Sequence, residues 1–482
     1  VSEADLLKLI DEADESVDAD RQGYLKTVAK CEAYYDGTKE KYIKPWEAER
    51  AEEFKDRPKP PSNVTRRVVN TFFGALYGKE PKRFFPEGSN DHLYQKILRA
   101  NEGFMSDGML WHRHAELSGC SAVIPRFSAR RQSFYVDVYS GDQIMVLPDA
   151  GDAKHPRAIV ISFRVPDRQK KEGFAVYNEV WTEDEFLATL DGKVMEDDDG
   201  RVVGFHEYGE IPIALFQTDP VSNYQAPRPA CFDVVEMNQQ IEQMLSSWAE
   251  VIRYQSFNVY LYKQPNEATV TASPKKWLAT NNPDADIKLV APAADTRILI
   301  DSIMEYFEMI ADIGEVPAFS LHGGAKTAES GVALAIKFQP HAQAVDRRKV
   351  FFKGGEIRLA RNLLRTARIQ AGIRIDESEE AMSPTVDFEE QSIPMSVDEQ
   401  IAWNAHRINL GLTSAVNLYL ERNPEASQEE ALKEVQANLE QSQKLRSLSA
   451  QGDPDEFARS AADEARRKAS EKNPAGADDD DD

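Results

Sequence analysis

The sequence predicts a mixed α+β chain, mainly helical, and three observations carry that expectation. Apolar residues recur at three- and four-residue steps through long stretches on both sides of the chain's middle. Between about 121 and 216 that period gives way to β-branched and aromatic runs bounded by turn residues. A compact, proline-punctuated piece, residues 257–296, separates two strongly amphipathic helices. At 482 residues, 41% hydrophobic and 29% charged, the chain has a globular balance and the length for roughly two to four substructures.

The first sixty residues alternate helical pattern with charge. Residues 22–35 read as a helix stopping at Asp36-Gly37. Arg57-Pro58-Lys59-Pro60-Pro61 breaks the chain. A helix then opens near Ser62 or Asn63, with Val64, Val68, Phe72, Ala75 and Leu76 as its apolar stripe, and ends at Tyr77-Gly78-Lys79-Glu80-Pro81. Residues 91–118 read as helix again. Phe134-Tyr135-Val136-Asp137-Val138-Tyr139, Ala158-Ile159-Val160-Ile161-Ser162-Phe163 and Val176-Tyr177-Asn178-Glu179-Val180-Trp181 read as strands of one antiparallel sheet, which residues 211–216 close. From about Pro229, Ile241, Met244, Leu245, Trp248, Val251 and Ile252 mark a long helix. Beyond the proline-rich piece, Leu299, Ile303, Tyr306, Phe307, Ile310 and Ile313 mark a second, stopping before Pro317. A glycine-bearing loop runs from 318 to about 330. The longest helical pattern spans about 329–370, with bends expected at Pro340 and Gly354-Gly355. Residues 385–389 read as extended, and two helices follow at about 396–420 and 427–448. Residues 451–482, ending in five aspartates, read as disordered.

Asp and Glu number 82 against 58 Lys and Arg, a net charge of −24 with a pI near 4.9. Such a chain is not expected to hold DNA over its general surface, since phosphate binding needs cations that displace counterions. A conduit through which DNA slides, however, gains from weak or repulsive walls. No apolar run approaches the roughly 18–20 residues that span a bilayer, so no membrane contact is expected. The acidic start, Val1-Ser2-Glu3-Ala4-Asp5, does not read as a secretory signal. Cys31, Cys120 and Cys231 are spaced for neither a disulfide framework nor a zinc knuckle and suit a reducing compartment, so the chain reads as cytosolic when made.

The tempting catalytic motifs fail on inspection. His322-Gly323-Gly324-Ala325-Lys326-Thr327 invites a phosphate-loop reading, but Ala325 stands where that motif needs glycine, Ser320 occupies its earlier glycine position, and no strand precedes it. His112 and His114, two residues apart, lie on different faces of a helix and read as a surface pair, not a metal site. There is no G-x-S-x-G and no H-E-x-x-H. Nothing points to an enzyme, and neither a cofactor nor a metal is expected.

The order of elements resembles that of the portal proteins of tailed bacteriophages, the head-tail connectors, above all those of siphophages infecting Gram-positive hosts. Tyr34-Tyr35-Asp36-Gly37, Asn70 and Leu76-Tyr77-Gly78-Lys79-Glu80-Pro81 are similar to the family's N-terminal pattern. Glu116-Leu117-Ser118-Gly119 and Glu179-Val180-Trp181-Thr182-Glu183-Asp184 resemble its wing, Gly209-Glu210-Ile211-Pro212 the turn before its stem, and Ser330-Gly331-Val332-Ala333-Leu334 the start of its long helix. The likeness covers about residues 24–440.

The resemblance implies a portal-type fold. Residues 1–229 would form the wing, an α/β part with the antiparallel sheet, joined by a return strand within 373–395. Residues 230–256 and 297–316 would be stem helices, 257–296 the clip, 317–329 the tunnel loop, 330–372 the long helix, 396–450 the crown and 451–482 an acidic tail. It implies a homo-oligomeric ring, of twelve subunits, at one capsid vertex of the virion. Double-stranded DNA would pass through it, without sequence recognition, during packaging and ejection. The implied partners are the terminase large subunit, which hydrolyses the ATP, the major capsid and scaffolding proteins, and the head-completion adaptor and tail proteins. Independently of the family, both presumed stem helices carry more apolar surface than a lone pair covers, so lateral packing on other copies is expected. A non-portal oligomeric head or scaffold protein, and an enzyme of unrecognised class, stand as alternatives. The head or scaffold reading leaves the proline-rich piece between two amphipathic helices unexplained.

Four sets of residues carry functional expectations. Asp301, Glu305, Glu308 and Asp312 follow at steps of four, three and four, which puts four carboxylates on one helix face opposite the apolar stripe. Repeated around a lumen they would keep DNA from sticking; a solvated face is the plain alternative. Arg347, Arg358, Arg361, Arg365 and Arg368 fall within a narrow arc at 100° per residue. They would pair with carboxylates of an adjacent subunit, the favoured reading, or contact packaged DNA. Lys275, Lys276 and Trp277 would dock a partner at the clip, unless Trp277 is simply core. In the tunnel loop Gly323 and Gly324 give backbone freedom, and Phe319, Leu321, His322 and Lys326 would touch passing DNA; a mere connector is the alternative.

Overall fold

The structure is a computed structural model. It describes residues 3–15, 19–47, 49–85, 91–101, 103–149, 156–168, 170, 173–195, 204–220, 226–256, 259–263, 286–290, 296–322, 331–375, 382–388, 397–423 and 427–450. Two compact units divide the chain, Val1–Ile393 and Pro394–Asp482.

The first unit opens with α1 (Glu3–Glu15), α2 (Ala19–Asp36), a 3₁₀ turn at Lys39–Tyr42, α3 (Ala51–Asp56) and α4 (Val64–Tyr77). Gly37 follows α2 at φ +84°, a backbone state that glycine enters without a Cβ clash. Val64, Val68, Phe72 and Leu76 of α4 are all buried, as their spacing predicts. The stretch 91–118, expected as one helix, forms two, α5 (Asp91–Ala100) and α6 (Phe104–Ser118). The break falls beside Asn101 and Gly103, both poor helix formers.

The expected single sheet is two. Strands β2 (Cys120–Ser128), β3 (Ser133–Ser140) and β10 (Ala214–Gln217) pair antiparallel in the order β10-β2-β3. A larger antiparallel sheet runs β4 (Ile144–Pro148), β5 (Pro156–Pro166), β6 (Phe174–Trp181), β7 (Glu185–Leu190) and β8 (Lys193–Val194), with β9 (Gly204–Phe205) also on β7. The reason lies in strands that are apolar on both faces, which need a layer on each side. Ile144, Val146, Ile159 and Ile161 pack with Ala122 and Ile124 of the smaller sheet. Their neighbours Met145, Leu147, Ala158 and Val160 pack instead on Leu6 and Ala13 of α1. On the far side of the smaller sheet, Val123 and Val136 join a core with Trp111 of α6, Phe216 of β10, and Phe352, Leu359 and Leu363 of α10 (Gly331–Ile369).

Helix α10 is continuous through Pro340 and through Gly354-Gly355. At Gly355 the need for glycine is contact: a Cβ there would lie 2.7 Å from the Phe216 ring. One residue on, Glu356 accepts from Arg83 Nε (2.8 Å) and Nη2 (2.9 Å) and from Tyr77 Oη (3.0 Å). Arg83 belongs to β1 (Lys82–Phe84), which pairs with β13 (Thr385–Asp387). A second buried ion pair ties the two larger sheets together. Arg126 Nη2 donates to both Glu179 oxygens (2.8 and 2.6 Å), and Tyr177 Oη and Trp181 Nε1 complete the carboxylate's shell.

His112 is a correction to the surface pair expected from spacing. It is fully buried among the rings of Phe73, Tyr77 and Phe352, and burial pushes its pKa down to about 3. His114, partly buried on the same helix, is pushed down to about 4, again chiefly by burial.

Two long helices follow, α7 (Phe232–Ser256) and α8 (Thr296–Ile313), which pack on one another. Between them β11 (Val259–Lys263) pairs with β12 (Asp286–Val290). Residues 318–322, expected as loop, form a short helix, α9 (Ala318–His322). The second unit holds α11 (Val397–Asn409), α12 (Ala415–Arg422) and α13 (Gln428–Ala450). The helix expected over 396–420 is therefore two. Gly411 at φ +72° ends the first, and the Ser414 side chain caps the second by accepting from Asn417 N at 3.1 Å. Residues 451–482, Lys275, Lys276 and Trp277 lie outside the described residues.

Candidate functional site

Helix α8 sorts its side chains by angle. Ile303 and Ile310 are buried, with Tyr306 and Phe307 packed beside them. Asp301, Glu305, Glu308 and Asp312 are all exposed on the opposite side. At a rise of about 1.5 Å per residue the four carboxylates run along about 16 Å of helix. No Lys or Arg occurs between Ile298 and Ile313. Along one edge of this acid face lie Ile298 (64% exposed), Met309 (42%) and Ile313 (47%), an apolar strip left uncovered among the described residues.

What fixes this helix in place is a polar clasp at its C-terminal end. Glu315 has φ +52°, uncommon for a residue with a side chain, and is held there from two directions. Its carbonyl accepts from His341 Nδ1 at 2.8 Å, and its carboxylate pairs with Arg347 and approaches Arg348 at 3.6 Å, all three partners on α10. Arg348 also donates from Nε to buried Glu116 of α6 at 2.8 Å and lies 3.5 Å over the Phe72 ring. Burial pushes the Glu116 carboxyl up, and Arg348 pulls it back toward the charged form. Gly314 sits tight beneath, where a Cβ would meet Val234 and Val68 at 3.2 and 3.3 Å. A cavity of about 210 Å³ opens beside the clasp, lined among others by Glu116, Asp219, Glu315, Arg347 and Arg348.

A second anchorage runs under α7. Asn238, Glu242 and Ser246, at steps of four, are all buried beneath the strap of residues 39–62. Ser62 Oγ donates to Asn238 Oδ1 at 2.8 Å, Ser246 Oγ donates to the Pro58 carbonyl at 2.6 Å, and buried Lys39 pairs with Glu242. Burial raises the Glu242 carboxyl, and Lys39 opposes that shift. In the strap itself Arg57 pairs with Glu49 at 3.1 Å and stacks over Trp46 and Phe54.

The other expected sites divide. Of the tunnel-loop residues, Leu321 is buried in the main core and its carbonyl accepts from Arg67, so it has no side chain to offer DNA. Phe319 is half-buried on α9. Gly323, Gly324, Lys326 and the His322 side chain lie outside the described residues. In the arginine arc, Arg347 pairs with Glu315, and Arg365 pairs with Glu210. For these two the partners seen are carboxylates of the same chain, because the turns carrying Glu315 and Glu210 reach α10. Arg361 donates to Ser383 Oγ, and Arg368 reaches the Glu207 carbonyl at 3.5 Å. The Nε atoms of Arg358 and Arg361 are buried without an acceptor among the described residues.

Sequence reasoning missed the Glu315 clasp and the α7 ladder. The four-residue polar period on α7 was a readable signal for the ladder. The clasp left none, since its partners lie 26 to 33 residues further on, and of the three only Arg347 was singled out, as a member of the basic arc. Among the described residues no group of three or more His, Cys, Asp or Glu is arranged to hold a metal ion.

A family model described as "Phage portal protein, SPP1 Gp6-like" matches residues 14–445. No curated protein sequence matches the chain. Among solved structures, a chain of "Virion of native gene transfer agent (GTA) particle" is 12% identical, with a TM-score of 0.42 over 73% of this chain and 88% of that one. A chain of "Neck of native GTA particle computed with C12 symmetry" gives 12% and 0.43 over the same shares.

Proposed function

Because this chain belongs to the phage portal protein family, SPP1 Gp6-like, we propose that its copies close into a ring at the capsid vertex, with α8 lining the hole through which double-stranded DNA is packaged and ejected. Portal proteins are structural, not enzymes. The observation that carries the reading is the face of α8: four exposed carboxylates with no cation between Ile298 and Ile313. Around a ring they make stacked girdles of negative charge. Phosphate is repelled from such a wall, and the confined field is screened less than at an open surface. The strip of Ile298, Met309 and Ile313 packs on the neighbouring copy. The guanidinium ends of Arg358 and Arg361, both only partly buried, reach carboxylates of an adjacent subunit.

The remaining roles follow from the family. The tunnel loop within 317–329 touches DNA weakly through Lys326, and Lys275, Lys276 and Trp277 of the clip dock first the terminase motor and then the head-completion adaptor. Scaffolding and capsid proteins surround the wing. Replacing Asp301, Glu305, Glu308 and Asp312 together by Lys leaves rings intact in negative stain and stalls packaging in a reconstituted reaction. Packaging at the normal rate would remove α8 from the lumen. Since Leu321 is core, the loop is tested by deleting 323–326, which leaves motor docking intact and lets packaged DNA leak. Full DNA retention would make that loop a connector.

A further inference from the structure

The second unit is a set of helices almost without a core. Among its described residues Ala431 is the one buried hydrophobic side chain. Large apolar side chains stand in water instead, among them Ile401 (63% exposed), Trp403 (51%), Leu432 (48%) and Leu439 (56%). Three helices that bury one alanine do not offset the entropy of ordering some fifty residues, so their apolar surface is meant for something else.

The distribution on α11 says how many neighbours it has. Ile401 and Ile408 are seven residues apart and share one face. Trp403 lies about 200° round from them, on the opposite face, and Leu410, in the turn that closes the helix with its N–H on the His406 carbonyl, follows seven residues on. All four are exposed. A helix apolar on opposite faces is built to be enclosed. An isologous pair, or one foreign partner laid on one side, covers one face and leaves the other wet. A cyclic array gives each copy two different neighbours, one per face. Charge does not favour a nucleic acid or a strongly charged protein. Residues 397–450 carry eight carboxylates (Asp398, Glu399, Glu421, Glu425, Glu429, Glu430, Glu434, Glu440) against five cations (Arg407, Arg422, Lys433, Lys444, Arg446).

We infer that α11 is seated between two other copies of this chain, and that the unit Pro394–Asp482 acquires its core only when copies assemble. This rests on the ring reading above. The second unit is therefore an assembly-coupled seam, with Ile401 and Ile408 against one neighbour and Trp403 and Leu410 against the other.

Hydrogen exchange on the full chain, as assembled rings and as dilute unassembled subunits, tests it. Amides of 401–409 and 428–440 exchange at near-unprotected rates in the subunits and are slowed about 100-fold or more in rings. Amides of the sheet strands are protected in both. A paired Ile401→Asp and Ile408→Asp variant, and separately Trp403→Asp, each abolish the slowing in 401–409 while the sheet amides stay protected. Rings in which 401–409 exchange as fast as in subunits would overturn the inference and leave the ring reading standing. Subunits already protected there would also overturn it. Absence of rings at any concentration would overturn both.

Discussion

The core of the first unit and the second unit handle hydrophobic surface in opposite ways. In the first, strands apolar on both faces find a layer on each side, and the buried pairs Arg126 with Glu179 and Arg83 with Glu356 are complete. In the second unit Ile401, Trp403 and Leu439 face water, and on α8 Ile298 and Ile313 do the same. The first region buries its apolar surface within one chain. The second regions do not, and under the proposed ring they are the halves of contacts that other copies complete.

The largest effect should come from breaking the sheets' own charge network. Glu179→Ala leaves Arg126 buried with only Asp137, at 3.0 Å, beside it; removing one partner of a buried pair costs about 3–5 kcal/mol. Denaturant unfolding should show that loss equally at low and high protein concentration, because it belongs to the single chain. A loss that vanishes on assembly would erase the distinction between the regions.

Acid should act nearly as strongly through His112. Its folded pKa, about 3, lies below the ordinary 6.5. The unfolded chain therefore binds a proton that the folded chain refuses, and stability falls as pH drops from about 6.5 toward 3. By pH 4 this amounts to about 3 kcal/mol. His112→Phe should flatten that part of the stability-against-pH curve, whatever its effect at neutral pH; an unchanged slope would mean that His112 is not buried neutral.

Gly355→Ala is expected to cost about 1–3 kcal/mol by forcing a Cβ onto Phe216, read as a lower melting temperature. The smallest effect on the single chain is predicted for Ile298→Ser with Met309→Ser. Exposed positions change monomer stability by within about 0.5 kcal/mol, yet this variant should yield far fewer rings by mass photometry. Equal ring yield would move the seam elsewhere on the stem.

The two regions were also unequally legible. Periodicity found α4, α7 and α8 and the acid face of α8, because an amphipathic helix writes its faces into local spacing. It could not divide the sheet in two, since β10 finds β2 from some ninety residues away and nothing local specifies that pairing. His112 looked like surface because its cage comes from two other helices, Phe73 and Tyr77 of α4 and Phe352 of α10, both far from it in sequence. For the same reason, the partners found for Arg347 and Arg365 in this chain were not among those the sequence suggested: Glu315 and Glu210 approach from other elements. Local chemistry was readable, and partners brought by tertiary folding were not.

The central claim is that α8 forms the wall of a ring-shaped channel. Electron cryomicroscopy of the purified full-length chain tests it most directly. The account predicts a closed ring with the Asp301, Glu305, Glu308 and Asp312 face of α8 turned to the central hole and Ile298 and Ile313 against the next copy. A ring with that acid face on its outer surface, or particles with no central hole, would contradict it.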